Sequence, residues 1–327
     1  MLTCRRLADK TQVTQLPPAL KDDSDELVIH SFDNTYRLRG NEQTVRHKSF
    51  RRSHWVVAIL FVVISIAAVS GVVSYHRFYH HVTQQEISHA VEHTTFEIIL
   101  RGSTRVTLQL YQQANAKGQT LVLFTSGDGG WSPFCADIAA HIAGTGKTVV
   151  GFDAKNYLTT FASTQKPVTP EELARDYGEI LNGALTRAGV DKGSQVTLSG
   201  WSLGAGFSVL AASDTALKGH VSRVIAISLP ALNELAWKPS DALVYLTHGV
   251  PHEKVFNSGD YLARFSPVPL IMLNATDDDT APLADAQKLF DRAANPKQLY
   301  AVRAAGHHFE GGIEEFYRDL DSSLPSA

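Results

Sequence analysis

Short apolar runs alternate with helix-like segments over residues 93–327, and this alternation predicts the fold class. Residues 95–112 predict an opening hairpin, and later apolar runs predict buried strands: TLVLFTSGDGG, KTVVGFDA, SQVTLSG, VSRVIAISLP, VPLIMLNAT and KQLYAVRAAG. Helical patterns begin at Pro133, Pro170, Leu203, Pro282 and Gly312. Repeated strand-then-helix units of this length predict one α/β domain, with a mainly parallel central sheet and helices on both faces.

A different pattern precedes this domain. Residues 55–75 read WVVAILFVVISIAAVSGVVSY and carry no charged side chain. About 20 helical residues span roughly 30 Å, the thickness of the hydrocarbon core of a bilayer. A soluble helix of this length usually keeps a polar face, so the segment predicts a single transmembrane helix.

The charges that flank this segment predict its orientation. Arg46, Lys48, Arg51 and Arg52 precede it, whereas only Arg77 closely follows it. By the positive-inside rule, we expect the N-terminus to lie in the cytoplasm and the domain to lie outside the membrane. A cleaved signal peptide is the alternative, but the polar stretch before the apolar run is too long for an ordinary one.

Two polar segments flank the predicted helix. Residues 1–54 show no sustained period and predict a mostly disordered cytoplasmic tail. Residues 76–92 form a linker in which His76 and His80 have the spacing of two ligands on one helix face. No carboxylate or cysteine follows at matching spacing, so a solvated or interfacial role is favoured and no metal site is predicted.

Composition narrows the function classes. Apolar residues make up 44% and charged residues 19% of the 327 residues, with a formal net charge of -3. This balance suits a globular core and argues against nucleic acid as a partner, since nucleic-acid binders usually show a basic face. Cys4 and Cys135 fall on opposite sides of the predicted membrane segment, so they are not expected to pair.

The pentapeptide Gly200-Trp201-Ser202-Leu203-Gly204 fits the G-x-S-x-G nucleophile elbow. In such an elbow a serine sits on a strained turn between a strand and a helix, and the glycines avoid clashes in that turn. An apolar strand precedes the motif here and a helical run follows it. Ser202 is therefore predicted to be a nucleophile in an α/β-hydrolase fold.

An acid and a base follow the serine in the order typical of that fold. Three aspartates end the strand VPLIMLNAT, and Asp278 is preferred for its spacing from Pro282, with Asp277 and Asp279 left open. The loop Gly306-His307-His308-Phe309 supplies the base. His307 is preferred because it directly follows the glycine, and His308 is the alternative.

Two backbone N–H groups are predicted to stabilise an oxyanion. One belongs to Leu203, at the N-terminus of the helix after the serine. The other belongs to Asp128 in the glycine-rich stretch SGDGG, with Gly129 close behind. A phosphate-binding loop is disfavoured there because the Lys-Ser/Thr ending of a P-loop is missing.

These motifs resemble the bacterial virulence protein family that includes VirJ and the C-terminal domain of AcvB. The similarity runs from about Leu121 to Gly311, and its most specific pieces are FTSGDGGW, VVGFDAKNY, TPEELARD, GWSLGAG and GHHF. The resemblance implies an α/β-hydrolase fold, a periplasmic location and hydrolysis of aminoacylated phosphatidylglycerol, chiefly the lysyl form. It also implies a triad of Ser202, one aspartate of 277–279, and His307.

The elbow departs from the family pattern. The family usually carries GYSFGAD, whereas this chain has Trp201, Leu203 and Gly206 in place of Tyr, Phe and Asp. Loss of an acidic residue at 206 bears on how a cationic substrate is held, so substrate identity does not follow from the resemblance alone.

Together these observations predict a membrane-anchored periplasmic serine hydrolase that cleaves an ester, with a lipid or small ester as substrate and no cofactor. An aminoacyl phospholipid such as lysyl-phosphatidylglycerol is the expected substrate. Two alternatives stay open: a general carboxylesterase, thioesterase or peptidase of the same fold, and a non-catalytic envelope protein that binds partners. The sequence identifies no protein partner.

Overall fold

The computed structural model describes residues 26–31, 34–39, 91–114, 120–163, 166–236 and 255–325. They belong to two compact units, Met1–Ser74 and Tyr75–Ala327. In the first unit, strands β1 (Glu26–Ser31) and β2 (Asn34–Arg39) pair antiparallel. The hydrophobic pattern predicts no regular element there, so this hairpin is a finding of the structure alone.

The predicted membrane helix at 55–75 lies outside the described residues. Among the residues that are described, no helix is long and apolar enough to cross a membrane. The membrane anchor therefore stays a prediction from the sequence.

An eight-stranded sheet forms the centre of the second unit. Its strands are β3 (Val91–Leu100), β4 (Thr104–Gln113), β5 (Leu121–Thr125), β6 (Thr148–Phe152), β7 (Val196–Trp201), β8 (Val221–Ile227), β11 (Leu270–Asp277) and β12 (Lys297–Ala305). Their spatial order is β12-β11-β8-β7-β5-β6-β4-β3. All neighbouring strands from β12 to β6 run parallel, while β4 and β3 are antiparallel to their neighbours.

This topology confirms the predicted parallel sheet and its opening hairpin. Strand β3 begins at Val91, slightly before the domain start predicted at residue 93. A second, two-stranded hairpin of β9 (Leu232–Glu234) and β10 (Val255–Asn257) stands apart from the main sheet. The hydrophobic pattern does not predict β9 or β10, because three residues are too few for a period to be seen.

Within the described residues, six helices cover the sheet: α1 (Pro133–Gly144), α2 (Ala154–Phe161), α3 (Pro170–Ala188), α4 (Leu203–Ala212), α5 (Leu283–Arg292) and α6 (Ile313–Ser323). Helix α3 begins with a capping box, in which Thr169 and Glu172 each bond the other's backbone N–H, and it ends at Gly189 in the left-handed conformation. Helix α2 was not predicted. It begins after Asp153, whose side chain accepts a hydrogen bond from the N–H of Asn156 and caps the helix. The helix has only eight residues, too few to show a clear apolar period in the sequence.

The two faces of the sheet bury separate apolar layers. Side chains of β5 alternate, with Leu123 packed among residues of α3 and α4 and Phe124 packed among residues of α1 and α6. Because successive side chains of a strand point to opposite faces, each central strand presents apolar residues to both faces of the sheet. This is expected for a sheet covered by helices on both sides. The carboxyl ends of the parallel strands are thereby held at one edge, where the functional loops emerge.

A buried carboxylate joins the β3–β4 turn to the helices. Asp176 of α3 accepts hydrogen bonds from the guanidinium of Arg101, the shortest at 2.7 Å, and from the Tyr157 hydroxyl at 2.6 Å. Burial raises the pKa of the Tyr157 hydroxyl, and its bond to Asp176 raises it further. Asp176 ends the motif TPEELARD, so this motif has a structural role in holding α2, α3 and the turn together.

We expect Asp176→Ala to lower the free energy of unfolding by about 3 kcal/mol, because it leaves the Arg101 charge without its buried partner. Urea denaturation of the purified second unit, Tyr75–Ala327, measures this change in the free energy of unfolding. The matched control is Glu97→Ala, which removes the exposed partner of Arg105 (2.8 Å) and should cost less than about 1 kcal/mol. Equal effects of the two substitutions would contradict the role given to Asp176.

Candidate active site

Ser202 occupies a strained turn between β7 and α4. Its φ is 54° and its ψ is -123°, a conformation that a residue with a side chain rarely adopts. The N–H of Ser202 donates to the carbonyl of Ile227 at 2.9 Å, which holds the turn against the neighbouring strand β8. Such strain costs on the order of 1–3 kcal/mol and is typical of functional sites.

The two glycines of the elbow are required by close backbone approach. A Cβ on Gly200 would overlap the carbonyl of Gly204, and a Cβ on Gly204 would overlap the carbonyl of Thr125 at the end of β5. Helix α4 therefore packs directly on the backbones of β7 and β5. This packing fixes the start of the helix beneath Ser202.

Asp278 and His307 form a hydrogen-bonded pair at the ends of β11 and β12. The His307 Nδ1 lies 2.8 Å from Asp278 Oδ2 and 3.0 Å from Oδ1. Oδ1 also accepts the N–H groups of Thr280 and Ala281, at 2.9 Å and 2.8 Å. The carboxylate is thus held rigidly, and it fixes the orientation of the imidazole ring.

The environment of Asp278 keeps its carboxyl group ionised. Burial by itself raises the pKa, but the hydrogen bond and charge of His307, together with the Ala281 N–H, outweigh it and bring the pKa below its ordinary value. In the tautomer that donates Nδ1–H to this carboxylate, the lone pair is on the other ring nitrogen of His307. That nitrogen, Nε2, is buried and has no hydrogen-bond partner among the described residues.

The alternative residues occupy different positions. Asp277 and Asp279 are exposed, on either side of the buried Asp278. The His308 ring is tilted against Trp201 and lies edge-on to Phe134, with centroids 4.8 Å and 5.2 Å away, and burial lowers its pKa. Among these five residues, the structure pairs Asp278 with His307.

The loop that carries His307 is a tight, anchored turn. Gly306 and Phe309 both have positive φ, at 65° and 60°, and the backbones of Ala305 and Glu310 close the turn with two hydrogen bonds. The Phe309 ring is fully buried. The Trp201 indole N–H donates to the carbonyl of His307 at 3.1 Å, so the elbow and the histidine loop are bound directly to each other.

The glycine-rich loop after β5 is shaped by Asp153. This carboxylate accepts the N–H of Trp131 at 3.1 Å while it caps α2, and Gly130 beside it has a φ of 85°. The Trp131 indole lies against Gly151, where any Cβ would overlap the ring. Residues of the motifs FTSGDGGW and VVGFDAKNY therefore contact each other and together hold the glycine-rich loop in place.

Two residues that line the cleft, Leu203 and Asp128, have backbone N–H groups that are available to bind a ligand. Leu203 is the first residue of α4, and neither N–H donates to another described residue. Leu203, Asp128 and Ser202 line the same cleft. The arrangement has the parts of an oxyanion hole: a helix N-terminus and a second loop amide beside a serine.

The cleft has a volume of about 590 Å³ and contains Ser202 and His307 together. Sequence reasoning missed one wall, formed by the segment around β9: Pro230, Leu232, Asn233 and Glu234. No local motif marks these residues, because they reach the cleft only through the packing of β9 on α4. The described residues contain no group of three or more His, Cys, Asp or Glu side chains placed to hold a metal ion.

Several solved structures are similar to this chain in fold. The chain is similar to α/β hydrolase GrgF from Penicillium sp. sh18 (16% identity, TM-score 0.53), with 70% of this chain and 97% of that chain covered. It is also similar to Est1E from Butyrivibrio proteoclasticus (13% identity, TM-score 0.51, 70% and 96% covered) and to the esterase domain of a Rhodothermus marinus protein (15% identity, TM-score 0.50, 71% and 97% covered). These likenesses establish the α/β-hydrolase fold that the sequence predicts.

The family follows from the sequence itself. Residues 119–324 match the family model described as Bacterial virulence protein (VirJ), so the chain belongs to that family and the resemblance in the motifs is confirmed. No curated protein matches the chain by sequence.

We expect Asp278→Asn and His307→Ala each to lower kcat by at least about a thousandfold, because they remove the orienting acid and the general base. Asp277→Asn, Asp279→Asn and His308→Ala serve as matched controls and should retain at least about a tenth of the rate. Kinetics on p-nitrophenyl butyrate, with circular dichroism to check folding, measure all five. An inactive His308→Ala beside an active His307→Ala would move the base by one residue.

Proposed function

We propose that this protein is a serine hydrolase that cleaves ester bonds. The observation that carries the proposal is the strained Ser202 in one cleft with a His307 whose Nδ1 is bound to the buried Asp278. A merely structural serine has no need of a costly backbone conformation, and a solvated histidine has no need of a buried carboxylate.

We propose the following reaction for this arrangement. His307 Nε2 takes the Ser202 proton as Oγ attacks the ester carbonyl, and Asp278 stabilises the imidazolium that forms. The N–H groups of Leu203 and Asp128 bind the resulting oxyanion. His307 then gives its proton to the leaving alcohol, and water, activated in the same way, releases the acid and restores Ser202.

The substrate that fits best is an aminoacyl phospholipid such as lysyl-phosphatidylglycerol. Family membership supports this choice, as does the apolar wall of Trp201, Leu203, Pro230 and Leu232 in the cleft. An anchor at 55–75 would hold the cleft near lipid headgroups and raise the local concentration of substrate.

We expect the purified second unit, Tyr75–Ala327, to release lysine from lysyl-phosphatidylglycerol vesicles. Ser202→Ala should reduce the rate of lysine release more than a hundredfold, because the nucleophile is lost. Ser132→Ala, which changes another serine of the cleft, is the matched control. Release of lysine is measured by mass spectrometry. Hydrolysis of soluble short-chain esters alone would indicate a general esterase, and absence of Ser202 labelling by a fluorophosphonate would indicate a non-catalytic protein.

We also propose that residues 55–75 cross the inner membrane, with the hydrolase domain in the periplasm. Four basic residues before the apolar run and one close after it support this orientation. An aminoacyl phospholipid in the outer leaflet would then be within reach of the domain.

Alkaline phosphatase fused after Ala327 of the full chain should be active, because that enzyme folds only in the periplasm. A β-galactosidase fused at the same point should be inactive. The opposite pair of results would refute the orientation, and release of the first fusion protein into the soluble periplasmic fraction would indicate cleavage of the anchor.

A further inference from the structure

Strand β3 forms one outer edge of the central sheet. The strand order ends at β3, which pairs with β4 along all ten of its residues and with no other strand of the described chain. Backbone N–H and C=O groups point outward from such an edge at every second residue. A long edge with these groups exposed is suited to pairing with a strand of another molecule.

The two edges of the sheet differ in their protection against such pairing. The opposite edge strand, β12, begins at Lys297, carries the exposed Arg303 and has a register shift against β11. Basic side chains and irregular backbone discourage edge-to-edge association. Strand β3 carries Glu92 and Glu97 but no lysine, arginine, proline or glycine, and its register with β4 is unbroken over Val91–Leu100. Of the two edges, β3 is therefore the one suited to a partner strand.

One face of β3 is complementary to itself when two copies of the strand run antiparallel. If Thr95 lies opposite Thr95 of the second copy, His93 lies opposite Glu97, and Val91 lies opposite Ile99, on both sides of the two-fold axis. Hydroxyl pairs, pairs of a basic and an acidic group, and apolar pairs all stabilise neighbouring strands. The pairing also covers Ile99, which is 60% exposed in the single chain. A shift by two residues in either direction separates His93 from Glu97, so the charges select this register.

Neighbours in β4 already hold the two polar side chains in place. The His93 ring stacks on Tyr111 with ring centroids 4.3 Å apart, and its Nε2 lies 2.8 Å from Gln109 Oε1. The Glu97 carboxylate accepts a hydrogen bond from Arg105 at 2.8 Å. Because these side chains are positioned before a partner strand arrives, less conformational entropy is lost on pairing.

The other face of β3 offers space for the same partner. A groove of about 630 Å³ runs between β3 and α3, lined by Phe96, Ile98 and Arg187 among others. In the register centred on Thr95, Glu92 of the second copy lies opposite Ile98, beside this groove. The Arg187 guanidinium lies 5.7 Å from the centre of the Phe96 ring, so it is a cation close to that carboxylate. Both faces of β3 are thus complementary in charge to a second copy.

We propose that two copies of this chain associate through β3, by antiparallel pairing centred on Thr95. The two eight-stranded sheets then form one continuous sheet across the dimer. The interface leaves the candidate active site open, because β5, β6 and β4 separate β3 from the elbow strand β7. The inference goes beyond the hydrolase function and does not depend on it.

The test is disulfide cross-linking of the full chain, purified in a mild detergent. Cys4 is replaced by serine, and Cys135 is buried. Thr95→Cys places two thiols opposite each other, with Cα atoms about 4.5–5.5 Å apart, a separation that a disulfide spans. Ala301→Cys, at an exposed position of the opposite edge strand β12, is the matched control.

After oxidation, Thr95→Cys should give at least about fivefold more covalent dimer than Ala301→Cys on a non-reducing gel, because only its thiols face each other. Equal amounts of dimer from the two variants would overturn the inference. So would a wild-type chain that sediments as a monomer, which is the result expected if another segment of the same chain covers β3.

Charge reversal tests the register independently. His93→Glu in the Thr95→Cys chain places two carboxylates opposite each other and should lower the covalent dimer about fivefold. Addition of Glu97→Lys makes the facing charges opposite again and should restore the dimer. Circular dichroism checks that each variant is folded. No loss with His93→Glu, or no recovery with the second change, would contradict the pairing centred on Thr95.

Discussion

The close packing of α4 on the backbones of β5 and β7 is the constraint on which the rest of the site depends. Gly200 and Gly204 permit it, because any Cβ there would overlap a carbonyl of the neighbouring backbone. The contact forces Ser202 into a positive φ and directs the N-terminus of α4 toward the same cleft. Ser202 and the N–H of Leu203 are consequently positioned by one packing contact, which the rest of the core holds against the strain.

Two further sets of contacts position the Asp128 amide and the His307 ring beside Ser202. Asp153 and Gly151 hold the glycine-rich loop through Trp131, so the Asp128 amide is presented beside Ser202. On the other side, the Trp201 indole bonds the His307 carbonyl, and Asp278 bonds the ring. Asp128, Asp278 and His307 are therefore held by contacts between loops from different strands, which is the kind of support that a pre-organised site has.

A wall of the cleft is formed by the segment around β9 and depends on a different packing contact. The amide of Asn233 occupies the space that a Cβ on Gly206 would fill, so glycine at this position lets β9 pack against α4. In the proposed function, the chemistry is set by the elbow and the two loops, while the shape of one cleft wall is set by the segment around β9. The two properties are thus carried by separate elements and are open to separate change.

The sequence by itself determined the strand–helix alternation, the opening hairpin, the elbow and the family, because each is written in contiguous residues with a local period or spacing. It also narrowed the acid and the base to a few neighbouring residues. Only the tertiary structure paired Asp278 with His307, because burial and a hydrogen bond between strands separate that pair from its neighbours. Tertiary structure alone decided helix α2, the contact between Trp131 and Gly151, and the cleft wall formed by the segment around β9. These features depend on residues that are distant in sequence or on elements too short to show a pattern.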